Sequence, residues 1–166
     1  MAKPNGLAKV SGDLLKNKEV LHFLAEKSRE FSLAILPGGG GQITKAFKKK
    51  GFKRSKYTPM GRVTDSLEKR QLARDVLEIN QANVQDAIDY LDINARVIIP
   101  VLYIATVLCH VNGDIYALAA YNGFDKIFII TTKDRAEAKR EWLKQLAKCF
   151  EHIEKGELEK IEVVGF

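Results

Sequence analysis

Four consecutive glycines follow a short apolar run, and this junction limits the folds open to the chain. The run is residues 33–36, and Pro37 separates it from the glycines at 38–41. A segment that is apolar at every position is typical of a strand buried on both faces of a parallel sheet. Glycines after such a strand let the backbone turn sharply and bring its N–H groups close to a ligand. The sequence therefore predicts an α/β fold with a glycine loop at a strand end.

A second predicted strand near the amino terminus carries a lysine and also leads to a glycine. It spans residues 7–10, contains Lys9 and is followed by Gly12. Backbone N–H groups at strand ends, together with one flexible ammonium group, are how an α/β sheet builds a phosphate site. We therefore expect Lys9 and the glycine loop to share one bound anion.

Composition favours one globular domain covering residues 1–166. Apolar residues make up 46% of the chain and charged residues 29%, which is ordinary for a soluble protein. The amino terminus lacks the pattern of a secretory signal, and no apolar stretch is long enough to span a bilayer. We expect a cytoplasmic protein with no membrane partner. Two distant cysteines and three isolated histidines form no ligand pattern, so no metal site is expected in the protein itself.

Positive charge is concentrated in residues 45–56, which carry seven lysines and arginines and no acid. Such a segment can attract polyanions, or it can be an ordinary solvated surface. We noted no interleaved aromatic residues that stack bases and no known nucleic-acid module. Nucleic acid is therefore not an expected partner.

Predicted strands and helices alternate along the chain. The segment 96–107 contains Pro100 and predicts either two short strands or one interrupted strand. The other predicted strands are 7–10, 33–36, 126–131 and 161–164. The predicted helices are 18–31, 41–50, 65–90 with Asp65 as its cap, 115–121 and 136–154. This alternation predicts a three-layer αβα sandwich with a mostly parallel central sheet.

Five short motifs, in this order, resemble landmarks of the amino acid kinase family. They are Lys-Val-Ser-Gly-Asp from Lys9, Leu-Pro-Gly-Gly-Gly from Leu36, Gly-Arg-Val-Thr-Asp from Gly61, Val-Asn-Gly-Asp from Val111, and Ile-Ile-Thr-Thr-Lys-Asp from Ile129. The chain is similar to acetylglutamate kinase in some motifs and to uridylate kinase in others. It is shorter than these relatives and lacks much of their carboxy-terminal nucleotide-binding lobe.

The resemblance implies a small-molecule kinase that transfers the γ-phosphoryl group of ATP to a carboxylate or phosphate acceptor. ATP and Mg²⁺ carried with the nucleotide are the implied cofactors. The implied partners are the nucleotide, a small anionic substrate and further copies of the chain in a homo-oligomer. The implied catalytic residues are Lys9 and Asp114. The implied phosphate- or substrate-binding residues are Gly12, Gly38, Gly39, Gly40, Arg62 and Asn112. The implied nucleotide-binding residues are Thr131 and Asp134.

Several of these residues also have a simpler interpretation. Lys9 and Arg62 can be surface residues, the glycines can form a tight turn, and Asp114 can cap a helix. The chain also departs from the family at residues 131–135, where the first acid and the final glycine of the family motif are missing. Only about thirty residues follow, and they offer Lys133 or Lys139 as a second catalytic lysine.

These departures leave a second function class open beside the kinase. In it, the chain is a small-anion-binding, nucleotide-binding or regulatory subunit without catalysis. We favour the kinase interpretation, and whether the chain is an enzyme stays undecided.

Overall fold

The computed structural model describes residues 2–58, 61–104, 107–110, 112–153 and 158–166. The strands are β1 (Asn5–Val10), β2 (Ser32–Pro37), β3 (Tyr57–Thr58), β4 (Gly61–Arg62), β5 (Ala95–Val97), β6 (Val101–Ile104), β7 (Val107–His110), β8 (Lys126–Thr131) and β9 (Ile161–Gly165). The α-helices are α1 (Lys18–Glu30), α2 (Gly40–Lys49), α3 (Leu67–Tyr90), α4 (Gly113–Ala119) and α5 (Lys133–Ala147). Single turns of 3₁₀ helix cover Gly12–Leu14 and Tyr121–Gly123.

Five strands form one parallel sheet in the order β5-β2-β1-β8-β9. In this register Lys9 lies beside Leu36 of β2 and Ile129 of β8. Because neighbouring strands run in the same direction, the carboxyl ends of β1, β2 and β8 meet at one edge of the sheet. In open parallel sheets, ligands bind at that edge.

Helices cover both faces of this sheet, because successive residues of a strand point to opposite sides. Ala8 and Val10 of β1 belong to a buried cluster with α1 and α3. Leu7 points the other way, into a cluster with α4 and α5. Helix α2 packs on α3 through Ile43 and Phe47. The predicted three-layer α/β sandwich with a mostly parallel sheet is confirmed.

Helix α1 shows how local sequence sets these elements. The Asn17 side chain accepts hydrogen bonds from the backbone N–H groups of Glu19 at 2.8 Å and Val20 at 3.3 Å, which caps the first turn. Val20 and Leu24, four residues apart, are both buried and lie on the same side of the helix. This face anchors α1 to the sheet.

Several predicted boundaries shift. Segment 96–107 is divided at Pro100, because proline has no N–H group to donate to a neighbouring strand. Before it, β5 joins the main sheet, and after it, β6 pairs antiparallel with β7. The cap of α3 is Ser66, whose hydroxyl accepts a 3.3 Å bond from the Lys69 N–H, and not Asp65. Asp65 instead forms an ion pair with the Lys69 ammonium group at 2.7 Å.

Helix α5 and the short hairpin β3–β4 also differ from the sequence prediction. Helix α5 begins three residues before the predicted start at 136 and ends at Ala147, well short of residue 154. The hairpin was not predicted, because each of its strands has only two residues. No helix in the described ranges is long and apolar enough to cross a membrane.

Candidate functional site

A cavity of about 240 Å³ opens at the edge where β1, β2 and β8 end. Its walls come from the segments that follow these strands, from the start of α4 and from the β3–β4 hairpin. The predicted site residues that line it are Lys9, Gly12, Gly38, Gly39, Gly40, Arg62, Asn112, Asp114 and Thr131. Parallel strand order therefore brings together residues that are far apart in the sequence.

Two lysines meet one buried carboxylate in this cavity. The Lys9 ammonium nitrogen lies 3.0 Å from Oδ1 of Asp114, and the Lys139 ammonium nitrogen lies 2.8 Å from Oδ2. The Asp114 and Lys9 side chains are only 4% and 9% exposed, whereas Lys139 is 22% exposed. Lys9 comes from β1, Lys139 from α5 and Asp114 from the first turn of α4. One negative charge thus holds two positive charges in place.

The ionisation of Asp114 follows from this arrangement. Burial disfavours its charged form, but attraction by the Lys9 and Lys139 ammonium groups outweighs burial and holds the pKa of Asp114 below its ordinary value of 3.8. Asp114 is therefore a carboxylate at neutral pH. It fixes the lysines in place and is poorly suited to accept a proton.

Hydrogen bonds and packing against neighbouring residues fix the conformation of the glycine loop. The Gly38 N–H donates to the Val10 carbonyl at 2.7 Å, and the Asn80 amide donates to the Gly38 carbonyl at 3.0 Å. A Cβ atom on Gly39 would lie 2.8 Å from the Leu77 side chain, so a side chain there must displace the core. A Cβ on Gly40 would meet no described atom within 4 Å. Packing therefore explains Gly39, whereas a side chain on the exposed Gly40 would have room.

Arg62 lines the cavity, and its guanidinium group already has hydrogen-bond partners in the protein. Its guanidinium group donates to the Gly40 carbonyl and the Thr44 hydroxyl, both at 2.8 Å, and to the Ser55 hydroxyl at 2.9 Å. The same group lies over the rings of Phe47 and Tyr57. These contacts tie the β3–β4 hairpin to α2 beside the cavity.

Asn112 and Thr131 occupy different environments within the lining. Asn112 caps α4, with its side-chain oxygen accepting from the N–H groups of Asp114 at 2.9 Å and Ile115 at 3.3 Å. Asp114 is therefore not the cap of this helix. The Thr131 hydroxyl is buried and has no hydrogen-bond partner among the described atoms. It is a polar group that a ligand can satisfy.

One predicted residue lies outside the cavity lining. Asp134 is exposed in the first turn of α5, where hydrogen bonding from Thr132 is the main cause that lowers its pKa. Of the two candidate second lysines, the structure brings Lys139 to Asp114. Lys133 instead lies near the carboxyl end of the described chain, beside Gly165.

The sequence analysis missed an ion pair in the cavity lining. The Arg135 guanidinium donates to Asp13 at 2.9 Å and to the Thr132 hydroxyl at 2.8 Å. Both charged residues line the cavity. Asp13 ends the first quoted motif and Arg135 directly follows the last one, but their spacing in the chain carried no signal that they pair.

Comparison with solved structures finds a known protein of similar fold. No family model matches the chain, and no curated protein matches it. The fold is similar to that of N-acetylglutamate synthase from Neisseria gonorrhoeae, whose crystal structure is a complex with coenzyme A and L-arginine. The TM-score is 0.56 with 11% sequence identity, over 99% of this chain and 57% of the other. The chain thus spans little more than half of that protein, and a likeness at this identity shows the fold alone.

These findings correct the resemblance to the amino acid kinase family. No kinase family model matches the motifs, and the structural relative is a synthase solved with coenzyme A. The prediction of a kinase that uses ATP and Mg²⁺ was therefore wrong. No group of three or more acidic, histidine or cysteine side chains among the described residues is placed to hold a metal ion. The physical reason is that glycine turns at strand ends reflect a parallel sheet, whereas the chemistry depends on side chains that such motifs do not specify.

Proposed function

We propose that this chain binds a small molecule through a carboxylate or phosphate group in the cavity at the strand ends. The observation that carries the proposal is the pair of ammonium groups, Lys9 and Lys139, held by the single carboxylate of Asp114. One carboxylate balances one ammonium group, so this cluster keeps a net positive charge. Because burial makes an unbalanced charge costly, an anion that contacts the cluster is favoured.

Hydrogen-bond donors around the cluster support the same ligand class. The first N–H groups of α2, which starts at Gly40 in the cavity wall, have no partner within the helix and carry a partial positive charge. The first turn of α2 contains no acidic residue that would compete for them. The buried Thr131 hydroxyl supplies a further donor.

The cavity volume limits the size of the ligand. Pockets for drug-sized molecules are about 300–1,000 Å³, and this cavity is about 240 Å³. It suits an anion of few heavy atoms, such as a short carboxylic acid or a phosphate.

The cytoplasmic location and the homo-oligomeric state that we expect from the sequence are also part of this proposal.

Coenzyme A is a second candidate ligand, with acyl transfer as the associated reaction. The observation that favours it is the complex of the structural relative with coenzyme A. The phosphates of coenzyme A match the positive cluster, and ammonium and N–H groups can stabilise the oxyanion of an acyl-transfer transition state. Only part of so large a molecule fits in the cavity, so we rank it second.

Isothermal titration calorimetry tests both candidates on the whole chain. Phosphate, succinate, L-arginine and coenzyme A are titrated at pH 7 into the wild type and into Lys9→Gln, Lys139→Gln and Lys148→Gln. A hydrogen bond to a charged group contributes about 1.5–3 kcal/mol, so loss of either cavity lysine is expected to weaken binding by about 10- to 150-fold. Lys148 lies at the end of α5, exposed and outside the cavity lining, and its variant is the matched control.

Gly40→Ala provides a variant that keeps the fold. Its Cβ has room in the structure, and alanine at a helix start is well tolerated, so unfolding by urea is expected at an unchanged or higher midpoint. Gly40 lines the cavity, so binding of an anion there is expected to weaken. If no titrant binds the wild type, or if Lys148→Gln lowers affinity as much as Lys9→Gln, the proposal fails. Tighter binding of coenzyme A than of the small anions would favour the second candidate.

A further inference from the structure

The basic segment, residues 45–56, forms a surface whose charge the cavity does not explain. All seven of its lysines and arginines are exposed. No ion pair joins any of them to a carboxylate in the described part of the chain, and the sequence contains no acid between residues 31 and 64. In the described part of the chain none of these charges is held in an ion pair, although Lys56 attracts the Asp65 carboxylate.

The second half of the segment is anchored and lines a cleft of about 600 Å³. Phe52 packs edge-on against Phe47 of α2, with ring centres 5.5 Å apart. This contact holds the cations of residues 53–56 along the cleft wall. Asp65, the acid in the cleft lining, is already paired with Lys69 at 2.7 Å. The cleft is thus positively charged and fixed to the protein core.

The lysines at the end of α2 lie too far from the cavity to interact strongly with an anion bound there. Helix α2 has ten residues and begins at the cavity wall, so its last turn lies about 15 Å away at 1.5 Å per residue. Electrostatic interactions between exposed charges are screened over about 8 Å at physiological ionic strength. Lys48 and Lys49 therefore add little to anion binding in the cavity. A partner that contacts them directly is needed to use their charge.

An exposed aromatic ring completes this surface. Tyr57 follows the last lysine of the segment and is 60% exposed. The Arg62 guanidinium carbon lies 4.9 Å from its ring centre, and the two residues are paired across the β3–β4 hairpin. The ring is therefore supported from within the protein and open to solvent elsewhere. An aromatic platform beside cations is the arrangement that binds single-stranded nucleic acid, with bases on the ring and phosphates on the cations.

We propose that the basic segment and Tyr57 bind the backbone and one base of single-stranded nucleic acid. The sequence alone predicts no such partner, because it does not show which aromatic side chain is exposed beside the lysines. An anionic membrane is a poorer fit, since Ile43 and Phe47 of α2 are buried and cannot insert into lipid. Tyr57 also lines the cavity at the strand ends, whereas none of the residues 45–56 does, so the charge of this surface is separate from the ligand in the cavity.

Fluorescence anisotropy with a labelled twelve-nucleotide oligothymidylate tests this surface. The logarithm of the association constant is expected to fall linearly with the logarithm of salt concentration, by about 0.7 for each phosphate neutralised. A Lys48→Gln/Lys49→Gln/Lys53→Gln variant is expected to lower affinity at least tenfold and to reduce the salt slope by about 2. Its matched control carries the same change at three exposed lysines elsewhere, Lys16, Lys18 and Lys148.

Tyr57→Ala separates base stacking from charge. Stacking on an aromatic ring contributes about 1–3 kcal/mol per base, so this variant is expected to lose about 5- to 150-fold in affinity for the oligonucleotide. Binding of polyglutamate, which has charge but no bases, is expected to be weaker than that of the oligonucleotide and unchanged by Tyr57→Ala. Three results would each overturn the proposal: no salt-dependent binding, an equal loss in the control triple variant, or polyglutamate binding as tightly as the oligonucleotide.

The triple variant keeps this test distinct from that of the cavity, because none of its three lysines lines the cavity. The triple variant retains Lys9, Lys139 and Gly40, so phosphate titration into it is expected to match the wild type. Loss of oligonucleotide binding with intact phosphate binding supports the surface alone. Loss of both together in the triple variant would show that the two sites are one, against this proposal.

Discussion

Asp114 connects stability and charge in the cavity. It is buried, carries the negative charge between Lys9 and Lys139, and sits in the first turn of α4 behind the Asn112 cap. Removing one partner of a buried ion pair typically costs about 3–5 kcal/mol, because the charge left behind stays unbalanced. The two lysines depend on Asp114 for their position, so a change at this residue affects both the fold and the site.

Asp114→Asn is expected to lower the free energy of unfolding at pH 7 by about 3 kcal/mol, the lower end of that range because Lys139 is partly exposed. The native pKa of Asp114 lies below its ordinary value of 3.8. Its stabilising effect is therefore complete above that value and is lost as the pH falls through the native pKa. The difference between wild type and variant is expected to shrink below about pH 4.

Urea unfolding followed by circular dichroism between pH 7 and pH 3 measures this difference. Asp86→Asn, at an exposed position on α3, is the control and is expected to change stability by less than about 0.5 kcal/mol. A difference between wild type and Asp114→Asn that stays constant down to pH 3 would show that the ion pairs do not set the stability of this site.

At the scale of elements, the β3–β4 hairpin depends on a contact outside its own strands. Two residues per strand supply too few ladder bonds to hold a hairpin alone. The Arg62 guanidinium bonds to the Gly40 carbonyl, Thr44 and Ser55, and it covers the ring of Phe47. The planar fork of an arginine can make all of these contacts at once.

Arg62→Lys is expected to loosen the hairpin without unfolding the chain. A lysine keeps the charge but cannot reproduce the two-nitrogen fork or the stacking on the rings. Hydrogen–deuterium exchange is expected to become faster at the Tyr57–Arg62 pair and unchanged in β1 and β8. Arg96→Lys, in the edge strand β5, is the control and is expected to leave hairpin exchange unchanged. Equal exchange rates in Arg62→Lys and the wild type would contradict the tether.

At the scale of the whole molecule, Phe128 joins several elements. It lies in the central region of the sheet on β8 and is 1% exposed. Phe23 of α1 and Phe31 pack edge-on against it, with ring centres 5.5 and 5.7 Å away. Edge-to-face contacts of this kind add to the free energy gained from burial. The packing of α1 on the sheet therefore centres on this side chain.

Phe128→Ala is expected to lower the free energy of unfolding by about 3–5 kcal/mol, because it removes buried surface and leaves a cavity. The urea midpoint measures this loss. Tyr90→Ala, at a residue that is 90% exposed, is the control and is expected to stay within about 0.5 kcal/mol of the wild type. A loss below 1 kcal/mol for Phe128→Ala would mean that α1 does not depend on this contact.

The sequence predicted those parts of the fold that depend on neighbouring residues. The buried strand before the glycines, the strand that carries Lys9 and strand β8 all lie within one or two residues of their predicted bounds. The cap of α4 was assigned to Asp114 in one interpretation, whereas Asn112, two residues earlier, makes the capping bonds. Either residue type can cap a helix, so composition could not choose between them.

The sequence by itself determined the alternation of strands and helices, the lysine on the first strand and the glycines after the second. Each of these features depends on short stretches of neighbouring residues and on backbone freedom. The tertiary structure alone decided that Lys139, and not Lys133, meets Asp114, and that Arg135 pairs with Asp13. Those contacts depend on how α4 and α5 cross the sheet, which no local pattern encodes. Short motifs at strand ends do not encode such side-chain contacts either, which is why they predicted an ATP-dependent kinase wrongly.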